Sequence, residues 1–193
     1  FKGQKDLEKD IELLNSQVER CNEILKRLTL NPVEEDEFID KDINIRDYLH
    51  EIISSFKEIS KKEVVFNFDQ DSNPKKISKS IEIVYGLRNF IGNANKFATN
   101  SIFINLKSDS EFTELTVEDD GNGYPRDIIS KIGEPYLKSN YSKDKSKEGL
   151  GLGLFIGKTL LEKNFASVNC RNSKTRNGAE VIIRWKNKEL FNI

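Results

Sequence analysis

Histidine is nearly absent from this chain of 193 residues. His50 is the only one, which removes a histidine-built metal site and a Ser-His-Asp triad from consideration. Cysteine is almost as scarce: Cys21 and Cys170 make no disulfide framework, and a reducing compartment fits best. No run approaches the roughly 18 apolar residues that cross a bilayer, and no signal peptide is recognisable. An excess of either charge is lacking too. Lys and Arg number 31, Asp and Glu 32, for a formal net charge of -1, so nothing electrostatic points to nucleic acid as a direct partner. Methionine is missing altogether and the chain begins at Phe1. The expectation is a piece of a longer protein.

What is present suffices to fold. Hydrophobic residues make up 36% of the chain, somewhat few, and charged residues 33%, somewhat many, yet 12 Phe, 5 Tyr and 1 Trp supply core volume. The length suggests one domain of about 150 residues with an appendage. That appendage is a helix. Leu7, Ile11, Leu14, Val18, Cys21, Leu25 and Leu28 recur in alternating steps of four and three, an apolar seam of coiled-coil type. Leu13 and Ile24 widen it as a bundle helix requires, and Asn31-Pro32 ends it. Asp6 to Leu28 would be about 35 Å long. Such a seam needs a cover: a homodimeric bundle is the economical one, and packing on its own domain is the other. Cys21 lies on the seam. It is either a small buried hydrophobe or a thiol near a dimer axis that senses oxidants, with Arg20, Lys26 and Arg27 favouring its thiolate.

Residues 31–42 read as an acidic hinge, and 43–193 as the globular domain. Ile45, Leu49, Ile52, Ile53 and Phe56 repeat at helical spacing, leaving His50 outside the stripe as a surface or boundary residue. Val64 to Phe68 alternates as a strand, and Asp71 to Pro74 is a turn. The spacing predicts a helix over 80–98. Val84, Leu87, Ile91, Ala94 and Ala98 form its apolar stripe, with Asn89, Asn93 and Lys96 on the opposite side. Asparagine is a poor helix former. Amides in that position suit a lined pocket, where carbonyl oxygens ligate Mg2+ and N–H groups hold phosphate oxygens; a plain polar face is the bland alternative.

Ile102, Ile104 and Leu106 alternate, as do Leu115 and Val117, so Ser108-Asp109-Ser110 turns an antiparallel hairpin. Asp119 has the parity of Val117 and points to the core side, in the run Asp119-Asp120-Gly121-Asn122-Gly123. A carboxylate there needs a donor, and the glycines let a flat ligand approach the backbone. An adenine amino group would satisfy that carboxylate; an ordinary Asp-Gly turn is the alternative. Lys138 to Glu148 is polar and Lys-rich, a mobile loop in character. Gly149-Leu150-Gly151-Leu152-Gly153-Leu154 then runs into a helix expected over 155–163. Glycines opening a helix leave N–H groups for phosphates, and the loop before them is placed to close over a triphosphate. Neither G-x-G-x-x-G nor the P-loop pattern occurs. Val168 and Cys170, then Ala179 to Trp185 after the turn at Asn177-Gly178, return the chain to strands, with Cys170 on the core parity. The tally is an α+β two-layer sandwich of a mixed, mostly antiparallel sheet with helices on one face.

Four segments now stand in order: 89–97, 119–123, Gly133-Glu134-Pro135-Tyr136, and 149–154. Together they resemble the N, G1, F and G2 boxes of the ATP-binding domain of sensor histidine kinases, the Bergerat-type fold shared with gyrase, Hsp90 and MutL. The resemblance covers about 43–186, and residues 1–30 look like the second helix of the dimerisation and phosphotransfer domain. Residues 148–162 and 16–21 are similar to the redox-responsive RegB/PrrB branch. The resemblance implies ATP and Mg2+ as cofactors. Asn93 would ligate Mg2+ with Asn89 beside it, Lys96 would meet phosphate, Phe97 would line the base pocket, and Asp119 would accept from the adenine amino group. Gly121 and Gly123 would shape the base end, while Gly149, Gly151 and Gly153 shape the phosphate end. Leu150, Leu152, Leu154 and Lys138 are counted with the same site, and Cys21 matches the branch's redox cysteine. The implied partners are a second copy, through the N-terminal helix, and a response regulator receiver domain. The implied location is the cytoplasmic side of an inner-membrane protein anchored by a region outside this chain. One departure stands out: no His-acid-x-x-Thr-Pro run exists, so the phospho-accepting histidine lies elsewhere and the chain is expected to bind Mg-ATP without phosphorylating itself. Gly133 and Tyr136 also stand where many relatives carry Phe. Two other readings are a redox-sensing dimer with a regulatory or decayed nucleotide site, and a different ATPase of this fold.

Overall fold

The computed structural model describes residues 43–69, 75–137 and 151–192. The seam helix with Cys21, the hinge at 31–42, the turn at 71–74, and the loop of Lys138 with Gly149 and Leu150 lie outside the described residues. The elements run β1 (Ile43–Asn44), α1 (Ile45–Ile59), β2 (Glu63–Phe68), β3 (Lys76–Ile77), α2 (Ile81–Phe97), β4 (Ser101–Ser108), β5 (Phe112–Asp119), α3 (Arg126–Ile129), α4 (Gly153–Lys163), β6 (Ala166–Asn172), β7 (Ala179–Lys186) and a closing 3-10 helix (Asn187–Asn192).

Five strands form one sheet in the order β2-β4-β5-β7-β6, and β1 pairs with β3 in a separate two-stranded sheet. β2 and β4 are parallel while the other neighbours are antiparallel. A parallel pair needs a crossover, and α2 supplies it. Alternation decides the faces. Ile102, Ile104, Leu106, Leu115, Val117, Asp119, Val181, Ile183 and Trp185 are all buried; all but Trp185 lie opposite one another in register, and Trp185 lies opposite the buried Thr113. The second face carries charge instead, with Glu114 paired to Arg184, Glu118 to Arg176 and Glu180 to Arg171. Arg176 also stacks over Phe103 at 3.5 Å from the ring centroid. This is the expected mixed sheet with one buried face.

The helices close the buried face. Asn44 caps α1, its Oδ1 accepting the Arg46 N–H at 2.9 Å, and Ile45, Leu49, Ile52 and Ile53 are buried as their spacing predicts. Tyr48 ties α1 to the start of α2: its hydroxyl donates to the Ser80 carbonyl at 2.9 Å and accepts the Ser80 N–H at 3.2 Å. Burial pushes the Tyr48 phenol up to about 12, against the Ser80 bond that works to lower it. Helices α2 and α4 meet through glycine. A Cβ on Gly86 would stand 2.7 Å from Leu161 Cγ, and one on Gly157 would stand 2.9 Å from Phe90 Cε2. No other residue allows that approach.

Two expectations need correction. Helix α4 begins at Gly153, two residues before the expected start, so the last glycine of the ribbon lies inside its first turn. Cys170 is half-buried at the margin of the core rather than within it, because β6 is the edge strand. The face of α2 carrying Asn89 and Asn93 is half-buried, with α4 lying beside Asn89. Among the described residues no helix is long and apolar enough to cross a membrane.

Candidate nucleotide site

Asp119 is the last residue of β5 and is 2% exposed. Its Oδ1 accepts the N–H of Gly121 at 2.8 Å and of Ala179 at 3.3 Å, while among the described residues no donor reaches Oδ2. Burial raises its pKa, the two amides oppose that, and Asp120 and Glu118 add to the rise. Glycine is required on both sides of it. A Cβ on Gly121 would collide with the Phe97 carbonyl, and one on Gly178 with the Asp119 carbonyl. Asp120 faces the other way, accepting N–H groups from Thr99 at 2.8 Å and Asn100 at 2.9 Å. Burial works to raise the Asp120 pKa, but those backbone amides prevail and hold it below the ordinary value. The pair Asp119-Asp120 therefore presents one carboxylate inward and uses the other to tie down the turn after α2.

Phe97 connects this end to the helix. Its carbonyl lies against Gly121, its ring is 43% exposed, and the Lys96 ammonium stands 5.4 Å from the ring centroid. Asn93 and Asn89 follow back along the same flank of α2, so the stripe from Asn89 to Phe97 covers about 12 Å. Asn89 turns its Nδ2 onto the Tyr85 carbonyl at 2.8 Å, which leaves Oδ1 outward, 3.5 Å from where a Cβ on Gly153 would be. The far end of the stripe thus meets the N-terminus of α4. No side chain caps that terminus and its first turn holds no acid, so its N–H groups and positive helix end are open to an anion. Leu152 flanks it, its carbonyl accepting the Ile156 N–H at 2.8 Å, and Leu154 packs on the core.

The segment 133–137 completes the arrangement. Gly151 takes a φ of 69°, and a Cβ on it would collide with the Leu137 carbonyl. The Leu137 N–H donates to the Gly151 carbonyl at 3.2 Å. The chain therefore leaves after Leu137 and returns at Gly151 through one closed neck. Tyr136, at φ 61° and 71% exposed, stands at its rim.

Those of the expected residues that the structure describes fall on one path. Asp119, Gly121 and Phe97 meet at one end, and Asn89, Gly151, Leu152 and Gly153 gather at the other. Asn93 and Lys96 lie between, while Gly123 and Leu154 flank the two ends. Residues 78–189 match the profile of the histidine kinase-, DNA gyrase B- and HSP90-like ATPases. The chain belongs to that family. Its curated relatives include the sensor histidine kinase RegB of Cereibacter sphaeroides, 31% identical over 179 residues, which cover 88% of this chain and 38% of RegB. The chain thus spans less than half of that relative's length. The sensor protein RstB of Escherichia coli is 31% identical over 99 residues, 51% of this chain and 23% of RstB. In fold the family member resembles the mycobacterial sensor histidine kinase MprB, with a TM-score of 0.60 at 17% identity over 77% of this chain and 97% of that one. The catalytic domain of the histidine kinase ThkA gives 0.61 at 20% identity over 76% and 96%. These likenesses carry the fold.

Some positions that shape this region had no local signature. Gly86, Gly157 and Gly178 hold the site's walls together, yet in the sequence Gly86 looks like a weak point in a helix and Gly178 like half of a turn. Asn172, which grips the backbone at Tyr124, carries no periodic signal at all.

Proposed function

We propose that this chain is the Mg-ATP-binding catalytic portion of a sensor histidine kinase, which phosphorylates a histidine outside the chain and through it a response regulator receiver domain. The observation that carries the reading is the convergence along α2. A buried carboxylate with one oxygen left for a donor stands at one end, and an uncapped helix N-terminus faced by an amide oxygen at the other. A purine with an exocyclic amine fits the first and a phosphate chain fits the second. The donor set also suits magnesium. Mg2+ prefers oxygen ligands, keeps several waters and takes other ligands from substrate phosphates, and an amide carbonyl is an oxygen donor of that kind. Asn93, with Asn89 beside it, would supply those oxygens. When bound, the ion would neutralise phosphate charge. Lys138 and the loop it opens would close over the phosphates.

The same reading assigns residues 1–30 to a dimerisation helix, 31–42 to a hinge and 43–193 to the catalytic domain. The chain would act on the cytoplasmic face of an inner membrane, as a homodimer through the N-terminal seam, with Cys21 as its redox switch. Isothermal titration with Mg-ATP tests the core of it. Saturable binding that Asp119→Asn weakens on the order of tenfold or more is expected; affinity indifferent to that change would remove base recognition by Asp119.

A further inference from the structure

Base selection at Asp119 depends on where the segment 119–124 sits, and one side chain beyond it fixes that position. Asn172 ends β6. Its Oδ1 accepts the Tyr124 N–H at 2.6 Å, and its Nδ2 donates to the Tyr124 carbonyl at 3.0 Å. One planar amide thus satisfies both polar groups of a single backbone residue. Just before it, Gly123 takes a φ of 71°, and a Cβ there would stand 2.7 Å from Asn172 Oδ1. The amide fills the space that a side chain at 123 would need.

Asn172 is itself held by the β6–β7 turn. The Ser173 N–H donates to the Gly178 carbonyl at 2.8 Å. Ser173 Oγ accepts the N–H groups of Thr175 at 3.1 Å and Arg176 at 3.0 Å and donates to Glu118. Glu118, 7% exposed, also receives the Thr175 hydroxyl and Arg176 Nε, each at 3.2 Å. The turn returns through Gly178 and gives the Ala179 N–H to Asp119. Its two ends therefore grip the base end from two sides: Ala179 at Asp119 and Asn172 at Gly123-Tyr124.

We propose that Asn172 is a positioning residue for purine selection, acting through the Tyr124 backbone and not by contact with nucleotide. The inference rests on the nucleotide-site reading above. The test measures Kd for Mg-ATP and Mg-GTP on the whole chain, well below its unfolding temperature, for the wild type, Asn172→Ala, Asn172→Asp and Asp119→Asn. Asn172→Ala should weaken ATP about fivefold and GTP far less, so that the preference for ATP contracts. Asn172→Asp keeps the shape but sets an oxygen against the Tyr124 carbonyl; it should contract the preference as well, and it keeps the question answerable should the alanine variant fail to fold. A purely structural role would lower the melting temperature and leave the ATP-to-GTP ratio of folded protein unchanged, and that result would overturn the proposal. If Asp119→Asn weakens ATP while both Asn172 variants keep the wild-type preference, only this inference falls. If Asp119→Asn changes nothing, the nucleotide-site reading falls first.

Discussion

Asp119 carries opposed demands. Burial works against its charge, yet accepting from an amine requires the carboxylate. Its folded-state pKa lies above the ordinary carboxylate value of 3.8, so the native state holds the proton more tightly than the unfolded chain does. Its contribution therefore favours folding at acid pH and is lost as pH rises through the raised value. Asp119→Asn removes that cost. Thermal unfolding should show the variant gaining on the wild type as pH goes from acid to neutral, while titration shows nucleotide affinity falling. Wild-type affinity should in turn fall on acidification, with a midpoint above the ordinary value of 3.8. The inward parity of Asp119 was legible from Leu115 and Val117, since strand alternation is local. The role of Asn172 was not, because its partner lies 48 residues away and leaves no period.

Cys170 makes a second case at this scale. Burial pushes its thiol up to about 11, against the Tyr124 contact that works to lower it. Little thiolate exists near neutral pH, and the thiolate is the reactive form. Iodoacetamide applied to native protein near neutrality should leave Cys170 unmodified, as peptide mass mapping would show, and unfolding in denaturant should expose it. Any oxidant response is then expected at Cys21, and Cys21→Ala should abolish it.

Among the elements, α2 and α4 set the distance between the ends of the site. Their contact depends on Gly86 and Gly157, where an added methyl would press on Leu161 and Phe90. Gly86→Ala should lower stability by about 1–3 kcal/mol, the usual cost of overpacking, measured by denaturant unfolding. It should also weaken ATP binding, because moving α4 carries Gly153 away from Asn89. A propensity argument alone predicts the reverse, since alanine is the better helix former. Element identity was largely legible here: helix α2 runs between Ser80 and Ala98 as its spacing predicts, and the hairpin turns after Ser108. The short pair β1–β3, helix α3 and the closing 3-10 helix were not, being too brief to show a period. The early start of α4 was hidden because glycine is a poor helix former, and here the first turn trades propensity for open N–H groups.

For the molecule as a whole, the fold and family follow from the sheet order and the profile match, while the kinase activity is what we propose for it. Its one histidine, His50, is an exposed residue of α1 with Nδ1 3.3 Å from Ser54 Oγ, and although Glu51 follows it, Ser54-Ser55 stand where the phospho-acceptor pattern requires Thr-Pro. Incubation with labelled ATP should therefore leave no acid-labile phosphohistidine on this chain. The central claim is that the amide stripe of α2, the carboxylate of β5 and the opening turn of α4 form one cavity for a magnesium-bound adenine nucleotide. Amide NMR during a Mg-ATP titration tests it most directly. Resonances of Asn89, Asn93, Asp119, Gly121 and Gly153 should shift together along one binding curve with a single Kd. Shifts confined to one of the three elements, or curves with separate midpoints, would contradict it.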